Sequence, residues 1–198
     1  MILEHLTGNF IRSDKEWIQI RDKKISVAEC FYKYILTLAA IPAISAFIGA
    51  AVIGWDIGDR SFKFTIESTV PLVIGFYLAC IIGVAIIGKA IHWMAATYGT
   101  NKDLSTCMLL AITTLSPLFI SGIFASTPIP WVIFLTGLIA LAYGVYLLYT
   151  GLPIVMGINQ EKGFLFASAV LTIGLVTIVG VLVSTVIFWA MGLAPIHA

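Results

Sequence analysis

Five long runs of apolar residues, separated by short polar stretches, dominate the chain. They cover residues 34–54, 70–92, 104–125, 131–150 and 164–191, and none of them contains Asp or Glu. A helix needs about 20 apolar residues to cross the hydrocarbon core, where each backbone polar group has to find its partner within the protein. The pattern therefore predicts an all-α integral membrane protein, built as a bundle of five transmembrane helices.

The polar residues are concentrated before the first run, in a short N-terminal segment, residues 1–33. Ser-x-x-Glu boxes at residues 13–16 and 26–29 are typical of helix N-termini. We expect the first box to start a short helix and the second to start the first spanning helix. The short helix is partly amphipathic, with Trp17, Ile18 and Ile20 among basic residues, and is expected to lie on the inner leaflet. The alternative is a polar tail with a few packing hydrophobic residues.

Two local patterns modify this outline. In the first loop, Phe62, Phe64 and Ile66 alternate with polar residues, which predicts a short extended piece. Pro42 and Pro117 lie inside predicted spans. Each removes a backbone hydrogen bond and is expected to kink its helix.

Basic residues beside the spans predict the orientation, because Lys and Arg are retained on the cytoplasmic side. A cytoplasmic N-terminus leaves only Arg60 and Lys63, of the eleven Lys and Arg residues, on the outer side. With five spans, the C-terminal tail, residues 192–198, then lies outside.

Aromatic and basic residues at the span ends are expected to anchor the helices in the headgroup region. The predicted anchors are Trp55, Lys89, His92, Trp93, Trp131 and Trp189. Lys89 is the twentieth residue counted from Val70. At about 1.5 Å per residue this brings Lys89 to the inner hydrocarbon boundary, where its side chain can reach the headgroups.

Composition excludes several classes of partner. Of the 198 residues, 60% are apolar and 11% charged, and the mean hydropathy is +1.05, so the lipid bilayer is the predicted partner. A net charge of +1 gives no strongly basic surface for nucleic acid. The three cysteines are scattered, which argues against a disulfide framework. The first 30 residues lack the apolar core of a signal peptide.

One motif could indicate a nucleotide site. Residues 83–89, GVAIIGK, fit the pattern G-x-x-x-x-G-K. However, Ala90 stands where a phosphate loop needs Ser or Thr, and the motif lies in an apolar run rather than in a polar turn. We therefore expect no bound nucleotide.

Catalysis is not expected either. The predicted spans hold Lys89 and His92 at one edge, whereas a hydrolase or a protease would need paired acids, or a His array with a carboxylate. A set of soft-metal ligand types meets at neighbouring ends of the second and third spans: His92, Met94, Cys107 and Met108. These residues fit ordinary packing and interface roles as well. We expect no enzyme, no cofactor and no metal.

Small residues spaced four apart recur in the spans, for example in the pairs Ala79/Gly83 and Ala140/Gly144. Such pairs let membrane helices approach closely. They predict a tight bundle and leave open whether the chain forms a homo-oligomer or binds other membrane proteins.

Two stretches resemble a known family. The third span, in TYGTNKDLSTCMLLAITTLSPLFISGIFA, follows a Gly-containing loop and carries Pro117 in its outer half. The fourth span ends in a stretch similar to a Tyr-x-x-Tyr-x-Gly-Leu signature, formed by Tyr146, Tyr149, Gly151 and Leu152. Together with the N-terminal Trp-Ile-x-Ile segment, these stretches resemble the YIP family, the Ypt/Rab-interacting proteins and their bacterial inner-membrane relatives.

The resemblance implies a five-helix bundle in a bacterial inner (cytoplasmic) membrane, with the N-terminus cytoplasmic and the C-terminus outside. Eukaryotic members carry an Asp-Leu-Tyr-Gly-Pro motif linked to GTPase-dependent vesicle traffic, and this chain lacks it. The trafficking role is therefore not transferred.

Two functions are compatible with these features. The preferred hypothesis is a non-enzymatic multi-pass membrane protein that organises or binds other membrane components, through its short inner segment and the inner end of the fourth span. The alternative is a small transporter or channel subunit for an ion or small solute. Its path would be lined by hydroxyl residues beside the Pro117 kink: Thr113, Thr114, Ser116, Ser121, Thr172, Thr177 and Ser184. The same hydroxyls equally fit hydrogen bonds to their own helix backbone or to neighbouring helices.

Overall fold

The computed structural model of the chain describes residues 14–57 and 60–188. Among these residues, five helices are long and apolar enough to cross a membrane: α2, Val27–Ile53; α3, Ile66–Ala95; α4, Leu104–Ser126; α5, Pro130–Met156; and α6, Gln160–Phe188. A shorter helix, α1, Asp14–Asp22, precedes them. The predicted all-α membrane bundle is confirmed. Trp189 and the tail at residues 192–198 lie outside the described residues.

The helices are longer than the apolar runs that predicted them. α2 begins at Val27 rather than at residue 34, because the predicted second box does cap it: Ser26 Oγ accepts a hydrogen bond of 3.0 Å from the Glu29 N–H. This first turn is polar, with an exposed ion pair of 3.6 Å between Lys33 and Glu29, so hydropathy alone does not include it. The fourth spanning helix, α5, continues past the predicted residue 150 to Met156 and ends where Gly157 adopts a φ of 70°.

A two-stranded hairpin follows α2 at the end of the bundle opposite α1. Strand β1, Trp55–Ile57, pairs antiparallel with β2, Arg60–Phe62. The extended piece predicted over residues 62–66 is right for Phe62 and Phe64 and wrong for Ile66, which is the first residue of α3. The Asp56 N–H donates to the Pro128 carbonyl at 2.7 Å and so ties the hairpin to the α4–α5 connection. We call the two ends of the bundle the α1 end and the hairpin end.

The two interior prolines are accommodated differently. Pro117 has no N–H to give to the Thr113 carbonyl four residues earlier, and the Ser116 hydroxyl donates to that carbonyl instead, at 2.8 Å. Pro42 lies in an α-helical stretch of α2, between π-helical turns at Phe31–Ile35 and Ile48–Ile53. Its ring contacts Gly122 of α4, where an added Cβ would lie 2.5 Å from the Pro42 Cβ.

Helix α4 is the centre of the bundle. Every residue from Thr106 to Thr114 is buried, and the neighbouring helices α2, α3 and α5 all pack on it. The last helix, α6, packs on α3 and α5. Its buried residues end at Val170, and no described side chain beyond Val170 is buried. The bundle is therefore closed around α6 at the α1 end and open along α6 towards the hairpin end.

Three glycines on α5 differ in what they contact from the α1 end to the hairpin end. Gly137, Gly144 and Gly151 are seven residues apart, which places them on one helix face, because seven residues fall only about 20° short of two turns. A Cβ at Gly151 would lie 2.5 Å from the Trp17 ring, and one at Gly144 would lie 2.8 Å from the Thr114 carbonyl oxygen. A Cβ at Gly137 would meet nothing within 4 Å. We call these three residues the α5 glycine face.

The contact at Gly144 predicts a difference between two otherwise equivalent substitutions. Gly144→Leu forces a side chain against the backbone of α4, so we expect it to lower the free energy of unfolding by about 1–3 kcal/mol, the usual cost of overpacking. Gly137→Leu, on the same helix face, enters open space and should leave stability within about 0.5 kcal/mol of wild type, as for substitutions that make no bad contact. Denaturant unfolding in lipid–detergent mixtures measures both. Equal destabilisation by the two variants would contradict the described contact between α4 and α5.

Candidate functional site

The residues of the predicted family signature lie at the α1 end of α5, and Gly151 is the contact point for α1. The Trp17 side chain is only 1% exposed, and its six-membered ring lies on Gly151, where a Cβ would be 2.5–2.6 Å from three ring carbons. Only glycine leaves this space for the indole. The tryptophan of α1 is thus a packing residue, as the alternative interpretation of this segment expected, whereas Ile18 remains exposed. The position of α1 on the inner leaflet stays a prediction.

The other residues of the signature have different surroundings. Leu152 is fully buried in the core. The Tyr149 hydroxyl lies 2.8 Å from Ser168 Oγ of α6. Because the Ser168 hydroxyl donates its own hydrogen to the Phe164 carbonyl, we assign Tyr149 as the donor. Tyr146 is exposed on the outside of α5. The signature thus joins α1 through Gly151 and α6 through Tyr149 to one helix.

Several charged side chains in and just after α1 lie at the same end of the bundle. The Arg21 Nε donates to Asp22 Oδ1 at 2.9 Å, and this hydrogen bond is the main cause that lowers the pKa of the Asp22 carboxyl, with a smaller contribution from the charge of Lys102 in the α3–α4 loop. The Lys23 ammonium donates to the Tyr34 hydroxyl of α2 at 2.7 Å. The exposed Arg21–Asp22 pair contributes little to stability.

The two loops at the α1 end are fastened by hydrogen bonds. The Thr100 hydroxyl donates to the Met156 carbonyl at 2.8 Å, and the His92 ring Nδ1 lies 2.9 Å from the Lys102 carbonyl. Since a carbonyl only accepts, Nδ1 carries the hydrogen in this arrangement. No group of three or more His, Cys, Asp or Glu side chains with metal-binding geometry occurs within residues 14–57 and 60–188.

The predicted interface anchors are mostly exposed. Trp93 and Trp131 are each 78% exposed, and Lys89 and His92 are exposed on α3 near its end at the α1 side. Trp55 differs, because it is half-buried and its Nε1–H donates to the Ala125 carbonyl at 3.2 Å. Trp189 lies outside the described residues. The anchoring role itself stays a prediction for all six residues.

A large apolar cleft occupies the hairpin half of the bundle. It has a volume of about 590 Å³, with α4 as its floor and residues of α3, α5 and α6 as its walls. Gly137 and Gly144 of the α5 glycine face line it, as do Gly174 and Leu175 of α6. No Asp, Glu, Lys, Arg or His is among the described residues that line it. The cleft is thus the space left where α6 stands away from α5.

The polar groups in the cleft wall are already hydrogen-bonded. The hydroxyls of Thr114, Ser121 and Thr177 donate to carbonyls of their own helices at 2.8–2.9 Å, and the Trp55 indole donates to Ala125. Among the other hydroxyls proposed for a polar path, those of Ser116 and Thr172 also bond to their own backbone. These side chains therefore direct their hydrogens into the protein, and the cleft offers an apolar surface.

Sequence reasoning missed both Trp17 docking and the cleft. The signal for the first is the seven-residue spacing of the α5 glycine face, with its last member in the family signature. The cleft itself has no local signal, because Gly137 and Gly144 have the same spacing, and they differ only in that the backbone of α4 approaches Gly144 and not Gly137.

The chain has relatives among known proteins. The family described as Yip1 domain matches residues 8–182. The chain is 38% identical over 191 residues to Inner membrane protein YohC of Escherichia coli strain K12, covering 96% of this chain and 98% of that protein, and equally to the protein of the same name in strain CFT073. No solved structure matches the chain.

The Trp17–Gly151 contact predicts that α1 is released by removing the indole. Trp17→Ala should lose the amide hydrogen-exchange protection of residues 14–22, because a buried tryptophan is worth about 3–5 kcal/mol of packing. Trp93→Ala removes an equally large but exposed side chain and should leave that protection unchanged. Hydrogen exchange in detergent micelles or nanodiscs measures both variants. Protection of α1 that survives Trp17→Ala would contradict the docking of this helix through its tryptophan.

Proposed function

The chain belongs to the Yip1 family and is an integral inner membrane protein, and we propose that it acts without catalysing a reaction, by holding another membrane component in the apolar cleft. The observation that carries this proposal is the cleft itself. It is an open space of about 590 Å³ within the spanning part of the bundle, and it lies within the range of ligand sites, about 300–1,000 Å³. The orientation that we propose has the α1 end in the cytoplasm and the hairpin end outside.

The α1 end is a poorer candidate for binding a partner. The short inner segment and the inner end of the fourth span are the surfaces that the sequence favoured. They are packed on each other, with Trp17 against Gly151. A partner that used the faces in contact here would first have to displace the indole. The hairpin half offers an apolar surface without that cost.

The absence of catalysis is proposed from the sequence. The predicted spans contain no Asp or Glu, and their basic residues, Lys89 and His92, are at one edge. The lining of the cleft is apolar, and its hydroxyls donate to their own helices. These features support binding rather than chemistry, and they favour a binding role over a polar path for a solute.

Native mass spectrometry tests whether the cleft holds a component. We expect the wild-type protein, released gently from detergent micelles, to carry a bound species that Gly137→Phe loses, since the phenyl ring would fill part of the cleft. Gly75→Phe is the matched control: Gly75 also has nothing within 4 Å of its Cβ position and is exposed on α3, but it does not line the cleft. A bound species that is absent from wild type, or is equally retained by Gly137→Phe, would contradict the proposal.

A flux assay separates this function from the transporter alternative. Protein reconstituted in vesicles should move no member of a panel of ions and small solutes faster than empty vesicles do. Flux through wild type that Gly137→Phe blocks and Gly75→Phe leaves intact would show that the cleft is a pathway, and the binding role would then be wrong.

A further inference from the structure

Resting on the proposed function, we propose that the component in the cleft is the acyl chain of a membrane phospholipid, which enters sideways between α5 and α6 in the hairpin half. Three features of the cleft point to this ligand class: its continuity with the lipid-facing surface, the chemistry of its walls, and its size.

The cleft wall formed by α6 is continuous with a surface that faces lipid. Beyond Val170 most of the α6 surface is exposed, for example at Leu175, Val179 and Leu182, and a half-buried stripe of the helix lies near α3. The exposed faces of a spanning helix are in contact with acyl chains, since no water is present at that depth. Leu175 and Leu182 belong to both surfaces, as they also line the cleft. Lipid can therefore reach the cleft without crossing a polar barrier.

The walls select an apolar occupant. A buried water needs two to four polar partners, and the hydroxyls of Thr114, Ser121 and Thr177 have already given their hydrogens to backbone carbonyls. A headgroup or an ion would find no charged side chain among the described lining residues. An acyl chain forms no hydrogen bonds and carries no charge. Its contacts with these walls replace equivalent contacts with other lipids.

The size argues against a protein helix as the occupant. A stable interface between two protein surfaces buries about 800 Å² on each partner. The walls of the cleft offer less than half of that area. A volume of about 590 Å³ is instead typical of sites for small molecules, which measure about 300–1,000 Å³. A flexible chain one methylene wide fits the same volume along its length.

Photolabelling in nanodiscs tests the assignment. The probe is a phosphatidylcholine with a diazirine midway along one acyl chain. Lipids around the protein can label outward-facing residues such as Leu138 and Leu165, whereas Leu115 and Leu118 are half-buried on α4, the floor of the cleft. We expect peptide mapping of the wild-type protein to show label on Leu115 and Leu118 as well as on the outer faces.

Two variants show whether the label depends on the cleft. In Gly137→Phe, labelling of Leu115 and Leu118 should be lost while that of Leu138 and Leu165 is kept, which also reports that the bundle is folded. Gly75→Phe should label as wild type does. The wild-type map decides the question even if a variant does not fold: label confined to outward-facing residues overturns the inference.

The outcomes separate this inference from the proposed function. A species retained in native mass spectrometry that proves to be a polypeptide, with no label on Leu115 and Leu118, leaves the binding role intact and overturns the acyl-chain assignment. A retained phospholipid together with cleft labelling supports both. If there is no retained species and no cleft labelling, both are wrong.

Discussion

Close approach of backbones at glycine is the constraint on which the rest of the structure depends. Between helices surrounded by lipid there is no water to expel, so association relies on van der Waals contact and a few hydrogen bonds. Gly151 and Gly144 let Trp17 and the backbone of α4 reach the surface of α5, and the hydrogen bond between Tyr149 and Ser168 joins α6 to the same helix. All of these contacts lie in the α1 half and the centre of the bundle.

The function proposed here is a consequence of where those contacts stop. Past Val170, α6 has no buried side chain among those described, while Gly137 on α5 faces open space. In a soluble protein an apolar gap of this size would close or cost several kcal/mol in lost contacts. In a membrane it can be filled by lipid, which makes an incompletely packed bundle stable and gives it a surface for another membrane component.

Hydropathy was sufficient to predict the five spans because each needs about 20 apolar residues, and a capping box gave the start of α2 that hydropathy missed. The β-strand pattern failed at Ile66, where the requirement for a longer spanning helix overrides a local alternation. Tyr149 and Gly151 were identified as family positions, but their contacts with Ser168 and Trp17 were not, since those partners are distant in sequence. The cleft depends on how α6 packs on the other helices, which no local pattern encodes.

Oxygen accessibility of spin labels scanned along α6 tests the central claim most directly. Oxygen dissolves in lipid and reports which helix faces acyl chains can reach. The described packing predicts low accessibility at Phe166 and Val170, which are buried. At Leu175 and Leu182, which line the cleft, it predicts accessibility as high as at the outward-facing Val179. Low accessibility at Leu175 and Leu182 would show that α6 is packed against α5 along its whole length, and the cleft and the functions built on it would then be wrong.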